Sequence, residues 1–260
     1  MTDSQNKVIK FEFPQIVNEA FKPLASSIGS TLSNLWDGTF IGINTWYKKK
    51  SIEQEYNLLL YKEQIQKNMS SIKEENIQEP KMSIVGPALE SSKFYFEESH
   101  FREMFAKLLA SACDSSKSNY IHPSFTEIIK QLDAKDAKVL KTFRYKSKQS
   151  IYDYVATAKG GTSSFLKNVF FINHDYSERE CYCSSITNLV RLGIISTDYI
   201  RYLINDPYLD FVKNDPFFED MKENFKELNQ LIGNQFTGFT AKSGVVELTP
   251  LGNDFVKICL

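Results

Sequence analysis

The chain has 260 residues, 42% hydrophobic and 24% charged, enough for one large or two modest domains with real cores. Thirty-one basic against 32 acidic residues leave a formal charge of −1, which excludes a protein that coats nucleic acid all over and an acidic mimic of it. No uncharged apolar run reaches the roughly 18–20 residues that span a bilayer, and the residues from Met1 to Gln15 hold no apolar segment behind a basic start, so no signal peptide is expected.

From Pro14 to Tyr47, Ile16, Ala20, Leu24, Ile28, Leu32 and Leu35 recur at three- and four-residue steps and predict a helix. Between Leu24 and Tyr47 only Asp37 is charged, and Lys48, Lys49 and Lys50 follow directly. Two readings stay open. In one, the segment packs on the rest of the protein and the lysines are a solvated end. In the other, Trp36, Phe40, Trp46 and Tyr47 anchor in a membrane interface or a partner while the lysines meet anionic lipid.

Residues 51–72 combine Glu, Lys, Gln and Leu as one helix, and the polar run from Glu74 to Pro80 marks a boundary. Gly86–Pro87 is expected to open the next helix, since proline suits a first turn. Phe101, Met104, Phe105, Leu108, Leu109 and Ala112 form the clearest apolar stripe, and His122–Pro123 opens a short helix reaching Leu132. Domains are expected over 1–80, 81–132 and 133–260.

Farther on, helices are predicted over 133–143 and 150–158, a turn at Gly160–Gly161, a β-like run at 169–172 and a helix over 184–191. A strand over 244–248 then precedes a final helix opened by Thr249–Pro250. The phrases Leu192–Gly193–Ile194–Ile195 and Leu248–Thr249–Pro250–Leu251–Gly252 bracket this order as in winged-helix domains. The expected class is therefore mostly α, with a C-terminal winged-helix-like domain carrying a small β-wing and a helical insertion over 198–233. That insertion repeats Asn–Asp–Pro–aromatic at 205–208 and 214–217, two helix starts. Eight acidic and four basic residues between Asp198 and Ile232 would repel a phosphate backbone.

Little in the sequence points to catalysis. Cysteines 113, 181, 183 and 259 lack the spacing of a disulfide framework and suit a reducing cytoplasm, and Cys181–Tyr182–Cys183 alone is a weak zinc signal. No phosphate-cradling loop, nucleophile elbow or zinc-protease helix occurs, and no cofactor or metal is expected. His122 beside Ser124 reads first as a helix cap and only second as a base beside a nucleophile. Between Ala134 and Asn168 eight basic residues face two acidic ones, so Lys141, Arg144, Lys146 and Lys148 form a candidate nucleic-acid patch. The helix beyond Glu180 offers mainly Ser184, Ser185, Thr187 and Asn188 with one late cation, Arg191, a poor set for reading bases.

Glu79–Pro80, Ser83 to Glu90, Arg102 to Ala106, Leu108 to Ser111 and His122 to Leu132 together resemble the bacterial abortive infection alpha family, also called domain of unknown function 4393. The resemblance implies anti-phage defence, in which an infected cell stops growing before phage matures, and assigns no reaction. It leaves Arg102, Glu103, His122 and Pro123 as family-motif positions without a role. The expectation is a cytoplasmic, non-enzymatic effector, able to lie peripherally at the inner membrane or to self-associate, triggered by a phage or host protein. A winged-helix DNA-binding regulator is the alternative.

Overall fold

The computed structural model describes residues 26–46 and 52–260. The chain divides into two compact units, one ending at Lys130 and one beginning at Gln131.

The first unit is helical: α1 (Ser26–Trp46), α2 (Ile52–Ser70), α3 (Met82–Ser92), α4 (Ser99–Ala112) and α5 (Ser124–Lys130). The stripe on α4 is buried throughout, and α4 packs on both α2 and α3. Pro87 does not open a helix as expected; it lies inside α3, which starts at Met82. Burial of Ile84, Val85, Ala88 and Leu89 holds the turn around it. The three larger of these side chains contribute about 1.5–3 kcal/mol each, so together they outweigh the roughly 3 kcal/mol that an interior proline costs. Trp36 and Phe40 are likewise core and not surface, each 1% exposed, with rings stacked 4.2 Å apart. Tyr61 of α2 sits 5.4 Å from Trp36. Trp46 ends α1, while Tyr47 and Lys48, Lys49 and Lys50 lie outside the described residues.

The second unit runs α6 (Ala134–Thr142), β1 (Lys148–Ala158), β2 (Gly161–Val169), α7 (Arg179–Arg191), β3 (Ile195–Asp198), α8 (Leu209–Lys213), α9 (Pro216–Leu231), β4 (Phe236–Leu248) and α10 (Pro250–Cys259). The strands form one antiparallel sheet in the order β2-β1-β4-β3. The helix expected over 150–158 is strand β1. Ile151 to Ala156 are all buried there, with Asp153 the one charged member and accepting from the Asn168 amide, a run that suits a central strand covered on both faces. A β-hairpin thus stands where a second helix was expected. Asp133 caps α6 by accepting from the amides of Lys135 and Asp136, and Asp136 returns a bond to the Asp133 amide, a complete capping box.

The two phrases read as bracketing a wing meet in space. Thr249 caps α10 by accepting from the Gly252 amide at 2.9 Å, and its hydroxyl donates to the Gly193 carbonyl at 2.5 Å. Gly193 has φ +72°, which only glycine adopts without strain.

Candidate interaction surface

The insertion between β3 and β4 is built from its repeat. Asp206 accepts from Ser150 at 2.6 Å, from the amide of Tyr208 at 3.0 Å and from the Tyr152 hydroxyl. Asp215, fully buried, accepts from the Tyr154 hydroxyl at 2.7 Å, the Phe217 amide at 3.1 Å and the Arg179 guanidinium at 2.7 Å. Tyr152 and Tyr154 are two residues apart on β1 and so share one face of the sheet. Each half of the repeat therefore lands its aspartate on one tyrosine of that face. Burial and then the neighbouring carboxylate push both phenols well above the usual tyrosine range, so they remain donors.

Aromatic packing completes the attachment. Phe218 meets Tyr154 edge-on at 4.8 Å, Tyr176 stacks on Phe211 at 4.0 Å, and the Arg179 guanidinium covers the Phe217 ring at 4.3 Å. The Tyr176 hydroxyl donates to the Phe211 carbonyl at 2.7 Å. Such rings bury large areas and stabilise by about 0.5–1.5 kcal/mol per pair beyond that burial. The insertion is thus a fixed part of the unit.

From this anchored base the segment after β3 turns outward. Asp198 accepts from the amide of Ile200 at 2.7 Å and from Arg201 Nε at 2.6 Å, setting the turn. Ile200, Tyr202 and Ile204 then stand 92%, 68% and 85% exposed. Arg201 reaches back to Glu247 at 2.6 Å, and Lys148 meets the same carboxylate at 2.9 Å. The Arg201 guanidinium first, then Lys148, hold the Glu247 carboxyl below its usual range.

The candidate nucleic-acid residues are partly committed elsewhere. Lys148 belongs to this ion-pair network, and Arg144 donates to the Leu260 carbonyl. Lys141 is half-buried, and Lys146 is exposed beside Tyr145. The outward residues of α7 include Glu180, Ser184 and Thr187. Thr187 bonds the Cys183 carbonyl and Asn168, and Arg191 bonds Asn188 and the Gln131 side chain.

The family-motif positions have structural work. Arg102, 6% exposed, donates to Asn57 Oδ1 and to the Phe96 carbonyl, both at 2.9 Å. Glu103 pairs with Lys107 at 2.6 Å one turn along α4. His122 Nδ1 accepts from the Ser124 amide at 3.1 Å and lies 2.7 Å from its hydroxyl, the capping role expected of it. Pro123 helps bound a cavity of about 180 Å³ with Gln78, Lys81, Ser83, Ser118 and Ile121.

A family model described as abortive infection alpha matches residues 53–259. The chain belongs to that family. No curated protein matches it, and neither does any solved structure. In this abortive infection alpha protein the match begins just inside α2 and takes in the whole sheet and its insertion. Among the described residues no group of His, Cys, Asp and Glu is arranged to hold a metal, and no helix is long and apolar enough to cross a membrane.

Proposed function

We propose that this protein acts in abortive infection through contact with another protein, made by the Ile200–Tyr202–Ile204 segment of the second unit. The exposure of those three side chains on an insertion fixed by Asp206 and Asp215 carries the reading. Leaving large apolar groups in water on a fixed mount is how interaction sites are built. The trigger would be a phage or host protein, and the response arrest of the infected cell.

The membrane route has less support, because Trp36 and Phe40 are core. The second unit reads as a winged-helix variant, with α6 and α7 as its helices and β3–β4 as the wing pair. One observation favours the DNA alternative: Arg144, Tyr145 and Lys146 are consecutive and exposed between α6 and β1. Against it stand the acidic insertion and the base-poor α7.

Phage challenge of cells expressing the wild type or the Ile200→Ser, Tyr202→Ser, Ile204→Ser triple variant tests the reading. Protection lost in a variant with an unchanged urea midpoint is the expected result. Full protection by the triple variant would overturn it.

A further inference from the structure

Cys181 stands at the start of α7, half-buried, with the ammonium of Lys135 from α6 2.6 Å from its sulfur. The Lys135 ammonium donates to that sulfur, which places the two reacting atoms side by side. The bond to Cys181, more than any other neighbour, holds the Lys135 ammonium above the usual lysine range, with Glu178 and Asp133 adding to it. Neither the capping of α6 nor that of α7 uses the pair: Asp133 caps the first, and Glu178 engages Lys138 and the Tyr182 hydroxyl.

The other cysteines are different. Cys113, Cys183 and Cys259 are buried, and burial pushes the Cys113 and Cys183 thiols up to about 12 and the Cys259 thiol higher still. They remain protonated and shielded, which makes thiols inert to oxidants. Cys181 is the half-buried cysteine, and it has a lysine ammonium in contact with it.

We infer that Cys181 and Lys135 form an oxidant-sensitive modification site, at which hydrogen peroxide joins α6 to α7 through a sulfur–nitrogen bond. In the first step the Cys181 sulfur attacks peroxide. The O–O bond breaks, the sulfur is oxidised to the sulfenic acid, and one water leaves. In the second step the Lys135 ammonium first gives one proton to solvent; the lone pair so freed attacks the sulfenyl sulfur, the S–O bond breaks, and the hydroxyl leaves as a second water with a second proton from the nitrogen. The product is a sulfenamide, the capture reaction known for sulfenic acids beside a nitrogen nucleophile, and thiols reverse it. Peroxide is the sole oxidant required, one equivalent per bridge. Asp136 and Asn188, 2.8 Å apart, already tie α6 to α7 non-covalently, so the bridge would fasten helices whose spacing is set.

The test is peptide mapping and intact mass of the full chain after a pulse of hydrogen peroxide and a rapid quench. The expected result is a mass lower by about 2 Da, with one linked peptide carrying Lys135 and Cys181 that reverts in dithiothreitol. Lys135→Arg keeps the charge and the fold but cannot form the bridge readily; in it Cys181 should accumulate as sulfenic acid, trapped by a dimedone probe several-fold more than in wild type. Equal dimedone labelling of wild type and Lys135→Arg with no linked peptide would overturn the proposal. So would a Cys181 no more oxidised than Cys113.

Discussion

Gly252 lies against the carbonyl of Ile194 so closely that a Cβ on it would overlap the carbonyl oxygen. The neighbour is backbone, held by the Thr249 amide at 3.0 Å, and cannot swing away. Gly252→Ala is therefore expected to destabilise the second unit by about 3 kcal/mol, the upper part of the range for overpacking. Urea unfolding followed by tyrosine fluorescence measures it; a loss below about 1 kcal/mol would show that the contact can relax.

Asp215 and Arg179 form a pair with no exposure on the acid and little on the base. Replacing one member leaves a buried charge, so Asp215→Ala should cost about 3–5 kcal/mol. Arg179→Met combined with Asp215→Leu should cost less than Asp215→Ala alone, because both charges leave together. Tyr154→Phe, which removes only a donor to Asp215, should cost about 1–3 kcal/mol. Urea midpoints of the three variants decide the order.

The Glu247 network gives the acid limb of stability a definite sign. Its carboxyl is held below its ordinary value of 4.5 by Arg201 and Lys148. The stabilisation is therefore fully present above that value and is lost as pH falls below it through the lowered folded value. Glu247→Gln should flatten the pH dependence of the thermal midpoint below pH 4.5 and leave the slope above pH 6 unchanged. An unaltered acid limb would assign it to other carboxylates.

His122→Ala removes a cap from the short helix α5, at a cost of about 1 kcal/mol. Defence against phage should survive, since the imidazole is committed to Ser124 as an end group and not as a base. Abolished protection in a folded variant would restore a chemical role.

Much of the fold was legible where the signal is local. The helix starts at Asp133 and at Thr249–Pro250, the α4 stripe and the Gly160–Gly161 turn depend on neighbours within one turn of chain, and each is found there. Strand β1 was not legible. Ile151, Tyr152, Tyr154 and Val155 are all buried, so the alternation that announces a half-buried strand is missing. The repeat at 205–217 was visible, but its partners lie 54 and 61 residues upstream, beyond any periodicity. Ile200, Tyr202 and Ile204 are not legible as surface, because apolar residues in sequence do not declare which side water is on; their period-two spacing after a short strand is the signal present. The aromatic run at Trp36 and Phe40 was the converse, a stretch that invited a surface reading and forms core.

The attachment of the insertion sets a length requirement. Two tyrosines on one strand face are separated by a distance fixed by β geometry, about 6.8 Å, and two aspartates must arrive at that separation. What lies between Asp206 and Asp215 is mostly α8, one turn of helix from Leu209 to Lys213. That helix works as a ruler. Its other residues can change so long as Val212 stays inside and Phe211 keeps its stack on Tyr176, but one residue added or removed rotates the second aspartate by about 100° and strands it away from Tyr154. In this segment substitutions should be tolerated and changes of length should not.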